Sequence, residues 1–435
     1  MSSRIHCHSV PNRNRSIARS ARNRAQARPL QFESLESREF LNGAPITSAA
    51  AVTNMCAGYQ TYQVSGNTFN VANDMENILK AIQSKYSVSG SISKVVDIGK
   101  GNLGTFVSPQ GRSLWAIEIS DNVNTNDNEV DEPAVAFVST MHGNEPDGTI
   151  LSLKLIDELL RDYGTVGSPE RALIDKTDIW IVPLMSPDGL ANCTRNNFNG
   201  VNLNRAFPDL SSDLNQATNM LSSPLTLSGL NQVAVDRKAP EVAAVMQWTT
   251  QENFVLAANF HQNGGVAVVN YPYDYDPKIA SGAYAKSPDD DLFKYISKVY
   301  ASHDPQMWGE TKRNLGISNP AGNTLTVNKT YPYGITNGSD WFAATGTMQD
   351  WRYRYAGTNE VTVEVRDKTD IKTVDALYLA NRDSMLAYLQ TAHVGVTGVV
   401  TGTTGSPVFA SIEVTGSGTD PKGLDRKSTR LNSSH

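Results

Sequence analysis

A histidine and a glutamate three residues apart, joined by a second histidine far along the chain, define the chemistry open to this sequence. The apolar run Pro133 to Met141 ends in His142-Gly143-Asn144-Glu145, and the run Phe254 to Phe260 ends at His261. Imidazole nitrogens and a carboxylate oxygen suit one zinc ion, and three protein ligands leave a fourth position open for water. Such a water needs a positioned base to take its proton and pass it to a leaving group. Glu364 is the candidate base, near the end of Val361-Thr362-Val363-Glu364-Val365. Taken alone the His-x-x-Glu spacing is weak, because it arises often by chance. The distant His261, at the end of another strand-like run, is what gives it weight.

A third run, Ile179 to Met185, opens into the loop from Thr194 to Pro208, which carries Arg195, Asn204 and Arg205. Two arginines some ten residues apart can offer separate forks, one to a developing oxyanion and one to a carboxylate held bidentately. That pairing suits recognition of a free C-terminus. His303 and His393 lie outside any motif and are read as structural.

The elements that position these groups follow from periodicity. Each of the four runs reads as a buried strand, while Val71 to Tyr86 and Gly148 to Tyr163 are amphipathic and helical, with Gly164 as a cap. Strands alternating with helices predict a mostly parallel or mixed sheet covered on both faces. In such a sheet ligands bind outside the carboxyl ends of the strands, so the chemistry converges on one edge.

Composition narrows the function classes. Residues 1 to 39 hold eight arginines against Glu33, Glu36 and Glu39, so the rest of the chain carries -11 of the net -6. An acidic body favours cationic substrates and argues against nucleic acid. No apolar stretch approaches the roughly 20 residues of a membrane span, so a soluble chain is expected. Cys7, Cys56 and Cys193 are too few for a disulfide framework or a cysteine zinc cluster. A single Cys56 to Cys193 bridge is compatible with the count but unsupported by it.

The two ends do not read as fold. Residues 1 to 50 form a basic, disordered leader without the apolar core of an ordinary secretory signal. Its segment from Leu30 to Leu41 is similar to a Leu-Glu-x-Arg-x-Leu-Leu motif near the N-termini of exported proteins of one bacterial group, which implies export to the periplasm, cell envelope or exterior. At the other end, Asp425 to His435 resembles the conceptual translation of a sequencing adapter. Between Gly395 and Thr415 the alternation is that of short antiparallel strands.

Together these residues resemble the zinc metallocarboxypeptidases, specifically the regulatory subfamily of carboxypeptidases N, E, D and M. The resemblance spans about residues 60 to 424 through Gly111-Arg112-Ser113-Leu114-Trp115, His142-Gly143-Asn144-Glu145, Ser186-Pro187-Asp188-Gly189, Gly200-Val201-Asn202-Leu203-Asn204-Arg205, Asn270-Tyr271-Pro272-Tyr273-Asp274 and Gly346-Thr347-Met348-Gln349-Asp350-Trp351. It implies an α/β fold: a mixed eight-stranded twisted sheet with helices on both faces (60–393), then a transthyretin-like β-sandwich, here truncated (394–424), with 425–435 set aside as artefact. It also implies one zinc ion on His142, Glu145 and His261, with Glu364 as general base and Arg195 stabilising the tetrahedral intermediate. Asn204 and Arg205 would clamp the substrate's terminal carboxylate. Asp274 and Gln349 would line the pocket for the last side chain and favour Lys or Arg, since an apolar residue there would leave a buried charge unpaired.

The expected activity is therefore release of C-terminal Lys or Arg from peptide or protein C-termini by a monomeric enzyme. The alternatives are a same-fold cell-wall peptide hydrolase and a zinc- or peptide-binding homologue without turnover. Three departures from the family pattern bear on these readings. Phe342 stands where a substrate-binding tyrosine is usual. Asn202 replaces the aspartate that accepts a hydrogen bond from the first zinc histidine. Gln262 and Asn263 are inserted between His261 and Gly264-Gly265.

Overall fold

The computed structural model describes residues 56, 58–123, 132–209, 234–235, 237–262, 267–280, 282–308, 313–318, 324–329, 331–365 and 373–395, with backbone alone at 313–318 and 324–329. The leader, the β-sandwich segment beyond Gly395 and the adapter-like end lie outside these residues.

Eight strands form one mixed sheet: β1 (Ser93–Asp97), β2 (Trp115–Ile119), β3 (Ala134–Ser139), β4 (Asp178–Val182), β5 (Leu256–His261), β6 (Val268–Tyr271), β7 (Ile335–Asn337) and β8 (Asn359–Glu364). Their order across the sheet is β7-β6-β8-β5-β3-β4-β2-β1. The centre, β8-β5-β3-β4, is wholly parallel. Antiparallel pairs flank it at β6-β8, β2-β4 and β1-β2, and β7 runs parallel to β6 at the edge.

Successive side chains of a strand point to opposite faces, and the central strands carry apolar residues on both. On β3, Val135 and Phe137 join the core beneath α1 (Met75–Gln83), α2 (Asp147–Tyr163), α5 (Asp290–Ser302) and α6 (Val374–Gln390). Ala136 and Val138 face the other way, into the core built with α4 (Pro240–Glu252) and the short helix Met348–Trp351. The expected helix over 148–163 is found over 147–163, and that over 71–86 is trimmed to Met75–Gln83. Gly164 does end α2, but with φ -64, so it does not use the left-handed freedom of a glycine cap.

Cys56 and Cys193 form a disulfide that ties the first described residue to the end of helix α3 (Pro187–Asn192). The count of cysteines permitted this pairing. Closure over 137 residues of sequence left no local trace of it.

Candidate active site

Three parallel strands and the loop after a fourth deliver the polar groups to one edge. His261 is the last residue of β5, and Glu364, the last of β8, is its direct register partner. His142 lies just beyond β3, past Thr140, whose φ of 52 places a β-branched residue in the left-handed region. That conformation costs about 1–3 kcal/mol and is held where surrounding structure over-determines it. Here Thr140 Oγ1 bonds to Thr149 Oγ1 of α2 at 2.7 Å and donates to Glu145 O at 3.3 Å. Gly143, between the two ligand positions, packs its backbone on Gly189 of α3. A Cβ at Gly143 would lie 1.9 Å from the Gly189 carbonyl carbon, so only glycine permits the approach.

The three ligand atoms converge. His142 Nδ1 lies 3.0 Å from Glu145 Oε2, His261 Nδ1 lies 2.8 Å from the same oxygen, and the two imidazole nitrogens are 3.1 Å apart. His142 Nε2 donates to Asn202 Oδ1 at 2.9 Å, which leaves Nδ1 as the lone-pair nitrogen. Burial pushes His261 down to about 4, so its ring is neutral, the ligating form. Burial opposes ionisation of Glu145, but the facing His142 and His261 hold it well below the usual carboxylate range. Electron-rich atoms in mutual contact need a shared cation, and two nitrogens with one carboxylate oxygen fit zinc. This is the one-zinc site, on His142, Glu145 and His261.

Around it lies an open cleft whose lining includes His142, His261, Arg195, Asn204, Arg205 and Glu364. Arg195 forms an ion pair with Glu145 Oε1, which brings its guanidinium beside the ligand cluster. The Asn204 side-chain oxygen accepts from Met348 N at 2.9 Å, and its backbone N donates to Asn202 Oδ1 at 3.0 Å. One oxygen of Asn202 thus serves both the zinc histidine and the turn that carries Asn204 and Arg205. The Arg205 guanidinium sits 5.7 Å from the ring centroid of Phe342, and burial lowers its pKa against the opposing pull of Asp274.

Asp274 closes the far end of the cleft. Strand β6 runs antiparallel to β8, with Val268 opposite Glu364 and Asn270 opposite Thr362, so the chain runs away from Glu364 before it reaches Asp274. Gln349 Nε2 donates to Asp274 Oδ1 at 2.6 Å and to Asn270 Oδ1 at 3.1 Å, while Thr362 donates to Gln349 Oε1 at 2.9 Å. Burial raises Asp274 to about 6 despite the nearby Thr347 hydroxyl, the charge of Arg205 and the hydrogen bond from Gln349. The insertion leaves β5 in register, and Gln262 N donates to Glu145 Oε2 at 3.3 Å; Asn263 lies outside the described residues.

Of the ten sequence-derived positions, eight line the cleft, Glu145 lies against His142, His261 and Arg195 beside it, and Gln349 hydrogen-bonds to Asp274. Sequence reasoning assigned no role to Asn270, Thr347 or Thr362, which also line the cleft. The alternation on β8 was the available signal for Thr362, two residues before Glu364 on the same face.

Comparison with known proteins agrees with this site. The family model described as zinc carboxypeptidase matches residues 75–389. Human carboxypeptidase D is 33% identical over 371 residues, covering 81% of this chain, and the chain spans 23% of that protein's length. Mouse carboxypeptidase M is 32% identical over 348 residues, 77% of this chain and 68% of that protein. Among solved structures, thrombin activatable fibrinolysis inhibitor superposes with a TM-score of 0.51 at 16% identity, over 75% of this chain and 74% of its own, a likeness of fold alone.

Proposed function

We propose, from the premise that this chain belongs to the zinc carboxypeptidase family, that it removes Lys or Arg from the C-termini of peptides. The observation that carries the basic preference is a buried carboxylate, Asp274, at the end of the cleft, 6% exposed and hydrogen-bonded by Gln349. A cationic side chain entering there pairs that charge, whereas an apolar one leaves it buried and unpaired. The carboxypeptidase D and M relatives support the carboxypeptidase reading.

Zinc bound by His142, Glu145 and His261 supplies Lewis-acid polarisation and a lowered pKa for water. Glu364, on the strand next to His261, takes the proton of the attacking water and returns it to the leaving amine. Arg195 donates to the oxygen that gains charge. Asn204 and Arg205 hold the terminal carboxylate, and the Phe342 ring keeps Arg205 in place by stacking without adding a hydroxyl.

Residues 60–393 would form the catalytic unit, with the leader and the partial β-sandwich outside it. The Cys56–Cys193 disulfide supports export, since such bonds persist in oxidising compartments. Among the described residues no helix is long and apolar enough to cross a membrane. The bacterial reading rests on the leader motif; the curated relatives named above are animal proteins and do not support it.

The test uses zinc-loaded protein on two blocked dipeptides ending in Arg and in Phe, with Glu364→Gln as control. Release of Arg far exceeding Phe, lost in the control with zinc retained, is expected. Preference for Phe would discard the pocket assignment, and no release from either would discard the enzyme reading.

A further inference from the structure

The pocket carboxylate is not self-supporting. Both main-chain polar groups of Asp274 are taken up by one segment, 344–350. Its N–H donates to both carboxylate oxygens of Asp350, at 3.0 and 3.1 Å, and its carbonyl accepts from Ala344 N at 3.0 Å. Asp350 also accepts from Tyr275 N at 3.3 Å, and Arg354, one turn on, donates to Tyr275 O at 2.7 Å. The Arg354 guanidinium lies 3.9 Å from the Tyr273 ring centroid and 4.0 Å from Asp350 Oδ2. Gly338 closes the remaining side: a Cβ there would meet Asp274 Oδ1 at 1.9 Å.

We propose that Asp350, neutralised by Arg354, is a positioning residue that fixes Asp274 for recognition of a cationic C-terminal side chain. It touches neither the zinc ligands nor the Asp274 carboxylate, and it does not line the cleft. Its effect passes through the backbone of residues 274 and 275. A carboxylate accepting converging N–H groups holds them more tightly than an amide oxygen would. A pocket that must meet a guanidinium or ammonium at hydrogen-bond distance tolerates little drift of its anion.

This inference rests on the basic-pocket reading above, and the parent protein tests that reading first. With zinc-loaded full-length protein and the Arg- and Phe-ended dipeptides, Asp350→Ala is expected to raise KM for the Arg substrate about 10-fold or more, with kcat changed far less, because buried N–H groups lose charged acceptors. The Arg-to-Phe ratio of kcat/KM falls with it while zinc content stays at the parent level. Asp350→Asn, which keeps volume and one acceptor, is expected to fall between the two, with a ratio about 3-fold below the parent's. A ratio in Asp350→Ala equal to the parent's, or equal losses on both substrates, overturns the proposal. Should the alanine variant not fold, the asparagine variant decides: a ratio below the parent's supports positioning, and an unchanged ratio overturns it. A parent without Arg preference removes the premise, and that result appears before any substitution is made.

Discussion

Replacing Asn202 by aspartate should tighten zinc binding. The amide oxygen of Asn202 accepts from His142 Nε2 at 2.9 Å and from Asn204 N at 3.0 Å, so a carboxylate introduced there meets two donors already in place. A hydrogen bond between neutral groups contributes about 0.5–1.5 kcal/mol and one to a charged group about 1.5–3, a gain of about 1–1.5 kcal/mol. That corresponds to roughly tenfold in affinity, at the low end of the about 10–100-fold seen when partners of metal-bound histidines are altered. Asn202 is half-buried, and Arg195 and Arg205 lie in the same cleft lining, so the added charge is not isolated. Competition for zinc against a chelator of known affinity measures the change directly. The upward shift of the melting temperature on adding zinc gives a second reading of the same quantity. Asn202→Asp with zinc affinity equal to or weaker than the parent's would refute the claim that this hydrogen bond tunes the ligand.

Three further outcomes follow from the structure. Asp274 is raised by burial to about 6, so on acidification through that value KM for an Arg-ended peptide should climb by up to about tenfold per pH unit while the Phe-ended peptide lacks this rise; equal pH profiles would remove Asp274 from the pocket. Burial and the charge of Asp178 raise Glu118 to about 8, and burial raises Glu252 to about 7. A carboxyl raised on folding stays protonated in the folded chain while the unfolded chain ionises, so the melting temperature should fall between about pH 5 and 8 and level off above, and Glu118→Gln should flatten the slope. A melting temperature that holds or rises over that window contradicts this. Serine at both Cys56 and Cys193 should cost about 4 kcal/mol, since the bond closes 137 residues of sequence, and thermal melts within a degree of the parent would show that the crosslink contributes nothing.

The zinc ligands were legible because His142 and His261 stand where apolar runs stop, with Glu145 three residues after the first. The proposed carboxylate clamp, Asn204 and Arg205, was legible as a dense polar loop following such a strand. The pocket floor was legible only at Asp274 and Gln349, through the family resemblance. Thr362, Gln349 and Asn270 meet only because β6 lies antiparallel to β8 while its neighbour β5 lies parallel, and pairing between residues 268–271 and 359–364 has no local signature. The Cys56–Cys193 bond was invisible for the same reason. Gly164 shows the opposite failure: a local signal, glycine after a helix, matched the boundary without the left-handed conformation that motivates it.

Strand β8 shows why the proposed general base, Glu364, stands where it does. The sequence reads as an apolar strand interrupted by Glu364, yet its faces are divided. Val361 and Val363 enter the core, joined by Val365 just past the strand end, while Glu360, Thr362 and Glu364 share the opposite face and are all buried. A polar row through the middle of a protein persists only if each member is matched. Glu360 accepts from Asn259 at 2.9 Å and from the fully buried Arg352 at 3.3 Å. Thr362 is matched by Gln349 at 2.9 Å, and so to Asp274. The period of two then brings the next side chain, Glu364, to the end of the strand beside His261 and into the cleft. The row thus runs from a structural ion pair, through the proposed specificity pocket, to the proposed base, and its spacing is the pleat of one strand. A shift of β8 by a single residue would send all three side chains into the apolar core, so the register that holds the fold together is also what aligns the site.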